Sequence, residues 1–465
     1  MSTLLMNKII SLCKRRGFIF PGSEIYGGLS NSWDFGPLGV EMKNNIKSAW
    51  WKFFVYDKQN IVGIDSAIII NPKVWEASGH KDGFSDPLIE CRECHCRFRA
   101  DHLVGDDVWN QEKDFFDTAS EQDREKRIVD LIEKCPHCGR KKTMTAPRNF
   151  NLMLKTYLGP IEDKNDLAYL RPETAQGIFI NFKNIVTTSR QTVPFGIAQI
   201  GKAFRNEITP GNYIFRTREF EQMEIEYFIK PPKQDSDWEC VFEEWRKLML
   251  NWIEYLEIDL SKIKELNVPK KDLAHYSKKT IDFEYSFPFG VKELYGLAYR
   301  TDFDLKNHEI FSQKNLKYRD PITGEEYWPH VIEPTFGLDR TLLAVLAECY
   351  KEENIPGGEK RVVMSFPKWL APIKVAVLPL LKNNEKIIAK SLEIYNNLKG
   401  SLSCEYDESG TIGRRYRRQD EIGTPFAITV DFESLENDDV TVRDRDTMKQ
   451  ERVKIANLKE YLKYD

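Results

Sequence analysis

The sequence predicts an α+β protein: an antiparallel β-sheet domain flanked by helices, then a small C-terminal α/β domain. Three observations lead there. The chain has 465 residues, more than one core usually supports, so two or three domains are expected. In the middle, FEQMEIEYFI (220–229) alternates apolar and polar residues like a strand with one working face, and it follows the turn-rich TPGNYIF; that is the pattern of an antiparallel hairpin. Near the C-terminus, beyond the linker-like ENIPGGEKR (353–361), short buried-strand patterns alternate with a helical one.

The elements follow in order. MSTLLMNKIISLCKRR reads as a short amphipathic helix. Lys8 and Lys14 interrupt any signal-peptide apolar region, and no run approaches the roughly 18 apolar residues that span a bilayer, so a cytoplasmic protein without a membrane partner is expected. A Gly/Asn/Pro-rich turn region then leads into a helix with Val40, Ile46, Trp50, Phe53 and Phe54 at helical spacing. IVGIDSAIII reads as one strand, stopped by Asn71-Pro72. Residues near 86–142 form a charged, Cys-bearing insertion, and residues near 231–280 a charged, Trp-bearing helical one. Strands resume from Ile281, and a helix starts near Gly337. These segments make a domain over 1–350, with a linker over 351–365. In the last domain, 366–465, VAVLPL is a buried strand, NEKIIAKSLEIYNNLKG a helix capped by Gly400, and CEYDES and PFAITVD are further strands.

Composition is that of a soluble globular chain, 41% hydrophobic and 30% charged. The formal net charge of −4 weighs mildly against a nucleic-acid binder but leaves room for local basic stripes. Of nine cysteines, four fall in two CxxC pairs, Cys91/Cys94 and Cys135/Cys138. An odd total with that spacing points to a reducing compartment and a closed tetrahedral zinc site of structural kind, although the gap between the pairs exceeds the usual ribbon. Reduced cysteines without metal are the alternative, and Cys96, His95 and His137 are spare ligands.

The chemistry gathers on the hairpin. In FRNEI (204–208), Arg205 and Glu207 lie two apart on a strand and share a face; Arg216, Phe220 and Glu224 follow on the return strand. Guanidinium forks suit phosphate oxygens, a Glu can accept from an exocyclic amine, and a ring can stack on a base. That set describes an ATP site without a Gly-rich loop; an ion-paired surface hairpin fits the same residues. In EPTFGLDR (333–340) a strand meets Gly337, which allows close approach, and a helix begins with Arg340, a guanidinium able to reach a phosphate or an adenine face. A structural arginine at a helix start is the alternative. Near the end, Arg414, Arg415, Arg417 and Arg418 flank Tyr416, which suits a phosphate backbone and a stacked base, or simply a solvated charge run.

Taken together, WDFGPLG with its following helix, FRNE–loop–RxxxF and GLDR resemble the three signature motifs of class II aminoacyl-tRNA synthetases, in the right order. FRADHL (98–103), RPETAQGIF (171–179), REFEQMEIEYF, ELYGLAYRTDFDL (293–305) and VIEPTFGLDR resemble the homodimeric glycine branch of that family, over nearly the whole chain. The resemblance implies ATP, glycine, tRNA(Gly) and a second copy of the chain as partners, with Mg²⁺ accompanying ATP. It implies that Arg205 holds the α-phosphate, Glu207 reads the adenine amine, and Phe220 and Arg340 sandwich the base. Asn206, Phe215, Arg216, Glu293, Leu294 and Gly337 complete the nucleotide contacts, and Glu293 is a candidate Mg²⁺ ligand. Arg205 and Arg340 carry catalysis, as positioned positive charge. Glu173, Glu224 and Glu333 form the acidic pocket for the glycine ammonium, Arg300 faces the carboxylate, and Arg99 is a further substrate contact. Thr335 departs from the family's Ser, and its methyl should tighten the wall against alanine. The C-terminal basic segment resembles the anticodon-binding domain shared with the threonine, proline and histidine enzymes, and VRDRDTMKQERV (442–453) fits it too. Two rivals remain: another ligase of the subclass, and a synthetase-like accessory protein without catalysis. RPETAQ and EPTFGLDR favour glycine, and the intact Arg205/Glu207/Arg340 set favours an enzyme.

Overall fold

The computed structural model describes residues 2–463 except 161, 164, 165, 210, 356, 357 and 359. Its centre is a seven-stranded sheet. The strands are β1 (Ile61–Gly63), β2 (Phe195–Phe204), β3 (Glu219–Ile229), β4 (Ile263–Asn267), β5 (Lys279–Phe287), β6 (Gly290–Thr301) and β7 (His330–Gly337), in the spatial order β4-β5-β6-β7-β3-β2-β1. All neighbours are antiparallel except β1 on β2. The alternation in 220–229 becomes two faces: Met223 and Ile225 enter the main core, while Phe220, Gln222, Glu224 and Glu226 point the other way.

Helices cover the apolar face. Helix Asp235–Tyr255 buries Trp238, Phe242, Trp245, Met249, Trp252 and Ile253, a helical stripe that locks it on the sheet. It belongs to the core, and the rest of the expected helical insertion supplies the edge strand β4. Helix Pro37–Trp51 buries Ile46 and Trp50 as expected but leaves Val40 exposed; Phe54 is buried in the turn beyond it. IVGIDSAIII divides, with Ile61–Gly63 on β2 and Ile69–Ile70 in a separate small sheet.

The expected linker is instead a β-hairpin, Tyr350–Asn354 with Lys360–Met364. Its Arg361 is fully buried and donates to Asp420 at 2.8 Å, and Asp420 also accepts from Arg443 at 2.8 Å. Residues 356, 357 and 359 of the expected linker lie outside the described residues; Arg361 of the second strand ties the hairpin to the C-terminal domain. That domain has a five-stranded sheet, β8 (Val375–Pro379), β9 (Cys404–Tyr406), β10 (Phe426–Val430), β11 (Asp439–Asp444) and β12 (Gln450–Lys454), in the order β9-β8-β10-β11-β12. Helix Glu385–Leu398 packs on it through Ile387, Ile394 and Leu398. No described helix is long and apolar enough to cross a membrane.

Candidate active site, cysteine cluster and basic helix

The polar face of the central sheet is the floor of a cavity of about 350 Å³. Register sets its composition. Glu224 of β3 lies opposite Thr335 of β7, Thr335 opposite Gly296 of β6, and Glu333 opposite Ala298. The cavity wall includes Glu173, Arg205, Glu207, Phe215, Arg216, Phe220, Glu224, Glu293, Leu294, Glu333, Thr335, Gly337 and Arg340, thirteen of the residues singled out from the sequence.

One end is cationic and aromatic. Arg205 leaves the end of β2, its Nε donates to the Pro172 carbonyl at 3.0 Å, and its guanidinium lies between the rings of Phe84 and Phe220, 5.3 and 5.4 Å away. Arg216 approaches Glu207 to 4.0 Å. Arg340, in the first turn of helix Leu338–Cys349, lies 4.5 Å over the Phe215 ring and pairs with Glu293 at 3.1 Å. Its presentation has a hidden support. Buried Lys43 bridges Asp339 at 2.7 Å and Glu221 at 2.6 Å, tying helix Pro37–Trp51 to the helix that carries Arg340. Gly337 has an ordinary φ of −83°, and a Cβ there would only touch Arg340 at 3.5 Å, so what glycine supplies is room. On the same wall Asp282 is pushed up to about 7 by burial and by the charges of Glu293 and Glu284.

The other end is acidic and buried. Glu173 receives Gln176 Nε2 at 3.0 Å and lies 3.2 Å from His80 Nε2. Burial alone would raise its carboxyl, but His80, Arg300 and the Gln176 hydrogen bond hold it well below the ordinary range. Glu224 accepts from the Thr174 hydroxyl and, at 3.0 Å, from Thr335 Oγ1; burial and the charge of Glu173 raise it. With its hydroxyl so engaged, Thr335 has its methyl as the remaining group to fill space.

Three expected contacts fall outside the cavity wall. Arg300 is buried behind Glu333, giving Nη1 to it at 2.8 Å and Nε and Nη2 to Asp304 at 2.9 Å, with Tyr276 stacked 3.7 Å away. It braces the acids rather than standing free for a carboxylate. Arg99 is paired with Asp86 at 2.8 Å and with Asp101. Asn206 is held by its backbone N–H on the Leu152 carbonyl at 2.6 Å. Sequence reasoning missed His80, Gln176, Asp304 and Glu226. Glu226 alone carried a signal, since it continues the i, i+2 row of Phe220, Gln222 and Glu224.

The four paired cysteines converge, with all four Sγ within 4.8 Å of one another. Cys91 and Cys138 are 3.8 Å apart, and Cys94 and Cys135 are 3.7 Å apart. A tetrahedron of thiolates with metal–sulfur bonds of about 2.3 Å has edges of about 3.8 Å, so the set fits a metal. The two turns match. His95 N–H donates to the Cys91 carbonyl and Gly139 N–H to the Cys135 carbonyl, at 2.8 and 2.9 Å, and both residues have positive φ. The cluster lies in its own small core, with Ile89, Phe116, Ile128 and Met144.

In the C-terminal domain the basic run forms helix Ile412–Ile422. Arg414 is exposed, and Arg417 and Arg418 are half-exposed, the latter on Asp407. Arg415 departs from the expectation. It is 1% exposed and donates to the carbonyls of Pro379, Asp407 and Leu380, so it cannot meet a nucleic acid. Tyr416 is half-buried, its hydroxyl on Thr429 and its ring under Arg443. Arg415→Ala should therefore destabilise the fold by about 3 kcal/mol, while Arg414→Ala leaves the melting temperature unchanged. Equal melting temperatures for the two variants would contradict this.

Comparison with known proteins matches these parts. Residues 158–349 match the class II tRNA synthetase core domain (G, H, P, S and T), and residues 374–464 match an anticodon binding domain. Among solved structures, prolyl-tRNA synthetase of Giardia lamblia in complex with prolyl-adenylate superposes with a TM-score of 0.65 over 99% of this chain and 75% of its own, at 15% identity, a likeness of fold. The α+β architecture expected from the sequence is thereby borne out. Glycine–tRNA ligase of Alkaliphilus oremlandii is 54% identical over 98% of this chain and 97% of its own, and that of Clostridium acetobutylicum 54% identical over 98% of each. The chain belongs to the glycine–tRNA ligase family of class II aminoacyl-tRNA synthetases.

Proposed function

We propose that the protein attaches glycine to tRNA(Gly) with ATP, through a glycyl-adenylate, releasing pyrophosphate and then AMP. One observation carries this reading: a single cavity joins the guanidiniums of Arg205, Arg216 and Arg340 to the buried carboxylates of Glu173, Glu224 and Glu333. The first end suits a triphosphate and a stacked adenine, between Phe220 and Arg340. The second suits a small ammonium. The glycine carboxylate attacks the α-phosphorus, no side-chain nucleophile is required, and Arg205 and Arg340 supply fixed positive charge where it is needed. Glu293 and Asp282 offer the oxygen ligands that Mg²⁺ prefers, and the ion would neutralise the phosphates. The ribose hydroxyl at the tRNA 3′ end then takes the glycyl group. Pyrophosphate exchange with a panel of amino acids tests the reading; activity with glycine and none with alanine, proline or threonine is the expected result, and exchange driven by another amino acid overturns it.

The cysteine cluster is read as a structural zinc site. One zinc per chain is expected, and a chelator should lower the melting temperature; a metal-free protein of unchanged stability would reject it. A homodimer is the expected assembly, and Ile25, Tyr26 and Leu29, exposed on a glycine-bearing loop, offer an apolar surface for it. Sedimentation should give about twice the chain mass of 54.4 kDa, and a monomer at micromolar concentration would contradict that. A cytoplasmic location and an Arg414/Arg417/Arg418 contact with tRNA complete the reading.

A further inference from the structure

The acidic end holds more buried carboxylate than one ammonium accounts for. Glu224, Glu226 and Glu333 are all buried, and each has an oxygen within 4.8 Å of the others. Glu224 accepts from two threonine hydroxyls and Glu333 from Arg300. Glu226 is 0% exposed, and neither of its oxygens meets a donor among the described residues. A bare buried carboxylate is far costlier than a protonated one.

The groups that face it sharpen the point. On its own strand stands Glu224, on β7 Glu333, on β6 Arg300, and on helix Phe303–Ser312 Asp304. On the neighbouring β2 the apolar Ile197 lies opposite Glu226, and the uncharged Gln199 lies opposite Glu224. Beyond them, Glu173 with its His80 and the phenol of Tyr276 act on Glu333 and Arg300. Arg300 is already divided between Asp304 and Glu333. Burial first, and then the charge of Glu333, push the Glu226 carboxyl well above the usual carboxylate range.

We propose that Glu226, buried behind the cavity wall, is a proton-exchanging positioning residue of the amino-acid pocket: a ligand's –NH3⁺ enters among Glu173, Glu224 and Glu333, and a proton leaves the Glu224–Glu226–Glu333 triad for solvent. This rests on reading the pocket as the glycine site. The exchange is charge-neutral, because one carboxyl becomes a carboxylate as one ammonium arrives. Proton and ammonium compete, so affinity falls as pH falls. A neutral group of the same size cannot drive the exchange, which makes the triad selective for an amine.

Calorimetry near pH 7, in buffers of different ionisation enthalpy, tests it with 5′-O-(glycylsulfamoyl)adenosine and its acetyl counterpart, which lacks the amine. The expected result is release of about one proton with the glycyl compound and none with the acetyl one. Glu226→Gln should abolish the release, weaken the glycyl compound about tenfold and leave the acetyl compound unchanged. Glu226→Asp should keep the release. Tight glycyl binding without proton release in the parent protein overturns the proposal whether or not the variants fold. So does equal release with the acetyl compound, or undiminished release in Glu226→Gln. If neither compound binds, the reading of the pocket fails first and takes this inference with it.

Discussion

Arg205→Ala is expected to reduce glycine-dependent pyrophosphate exchange by roughly a hundred- to a thousand-fold, the usual loss when one preorganised donor to a developing charge is removed. Among the described residues the side chain has one hydrogen bond, to the Pro172 carbonyl, and its guanidinium otherwise packs on the rings of Phe84 and Phe220. Little of the fold depends on it, so the melting temperature should hold. The loss should appear in kcat, because positive charge at the α-phosphorus matters most as the leaving group departs. A variant that keeps parental activity would remove Arg205 from the reaction.

Glu173→Gln is expected to raise the KM for glycine far more than the KM for ATP. The carboxyl is held ionised by His80, Arg300 and Gln176, so it offers a full negative charge in a dry place. Truncating one partner of a buried charge pair costs about 2–5 kcal/mol, or roughly thirty- to several-thousand-fold in kcat/KM. The amide keeps the shape and removes the charge, which separates electrostatics from packing. Equal changes in the two KM values would mean that Glu173 acts only through the architecture around His80. Because its carboxyl is depressed, Glu173 stays charged down to low pH; any acid loss of glycine affinity above pH 5 must come from the raised group, Glu224, Glu226 and Glu333.

Much of this site was legible because strand periodicity converts sequence into faces. Phe220 and Glu224 share a face of β3, as the i, i+2 rule predicts; Arg205 and Glu207, expected on a strand, lie beyond the end of β2 at Phe204, and Arg216 lies before β3 begins, so the connection between the strands brings them to the cavity. Contacts across the sheet were legible only in part. Glu226 lies in the same row, but its environment depends on Glu333 and Arg300, which arrive from other strands. Lys43, Asp339 and Glu221 come from three elements and showed no local signal. Composition misled where it hid periodicity. Arg415 shares the i, i+4, i+7 stripe of Gln419 and Ile422, all buried, and so turns inward from a run that reads as uniformly basic. The Gly/Pro content of ENIPGGEKR hid the strands that flank it, although KRVVM carries the strand pattern and pairs with Tyr350–Asn354. The tryptophans of 235–255 did announce a helix; only its place in the core depends on the sheet beneath.

In the proposed reading one cavity holds adenine between Phe220 and Arg340 and an ammonium among Glu173, Glu224 and Glu333. A crystal structure with 5′-O-(glycylsulfamoyl)adenosine tests it most directly. The expected result is the base between that ring and that guanidinium, the sulfamoyl group within hydrogen-bond reach of Arg205, and the amine within reach of at least two of the three carboxylates. An analogue bound elsewhere, or one whose amine faces solvent with the acids untouched, would contradict it.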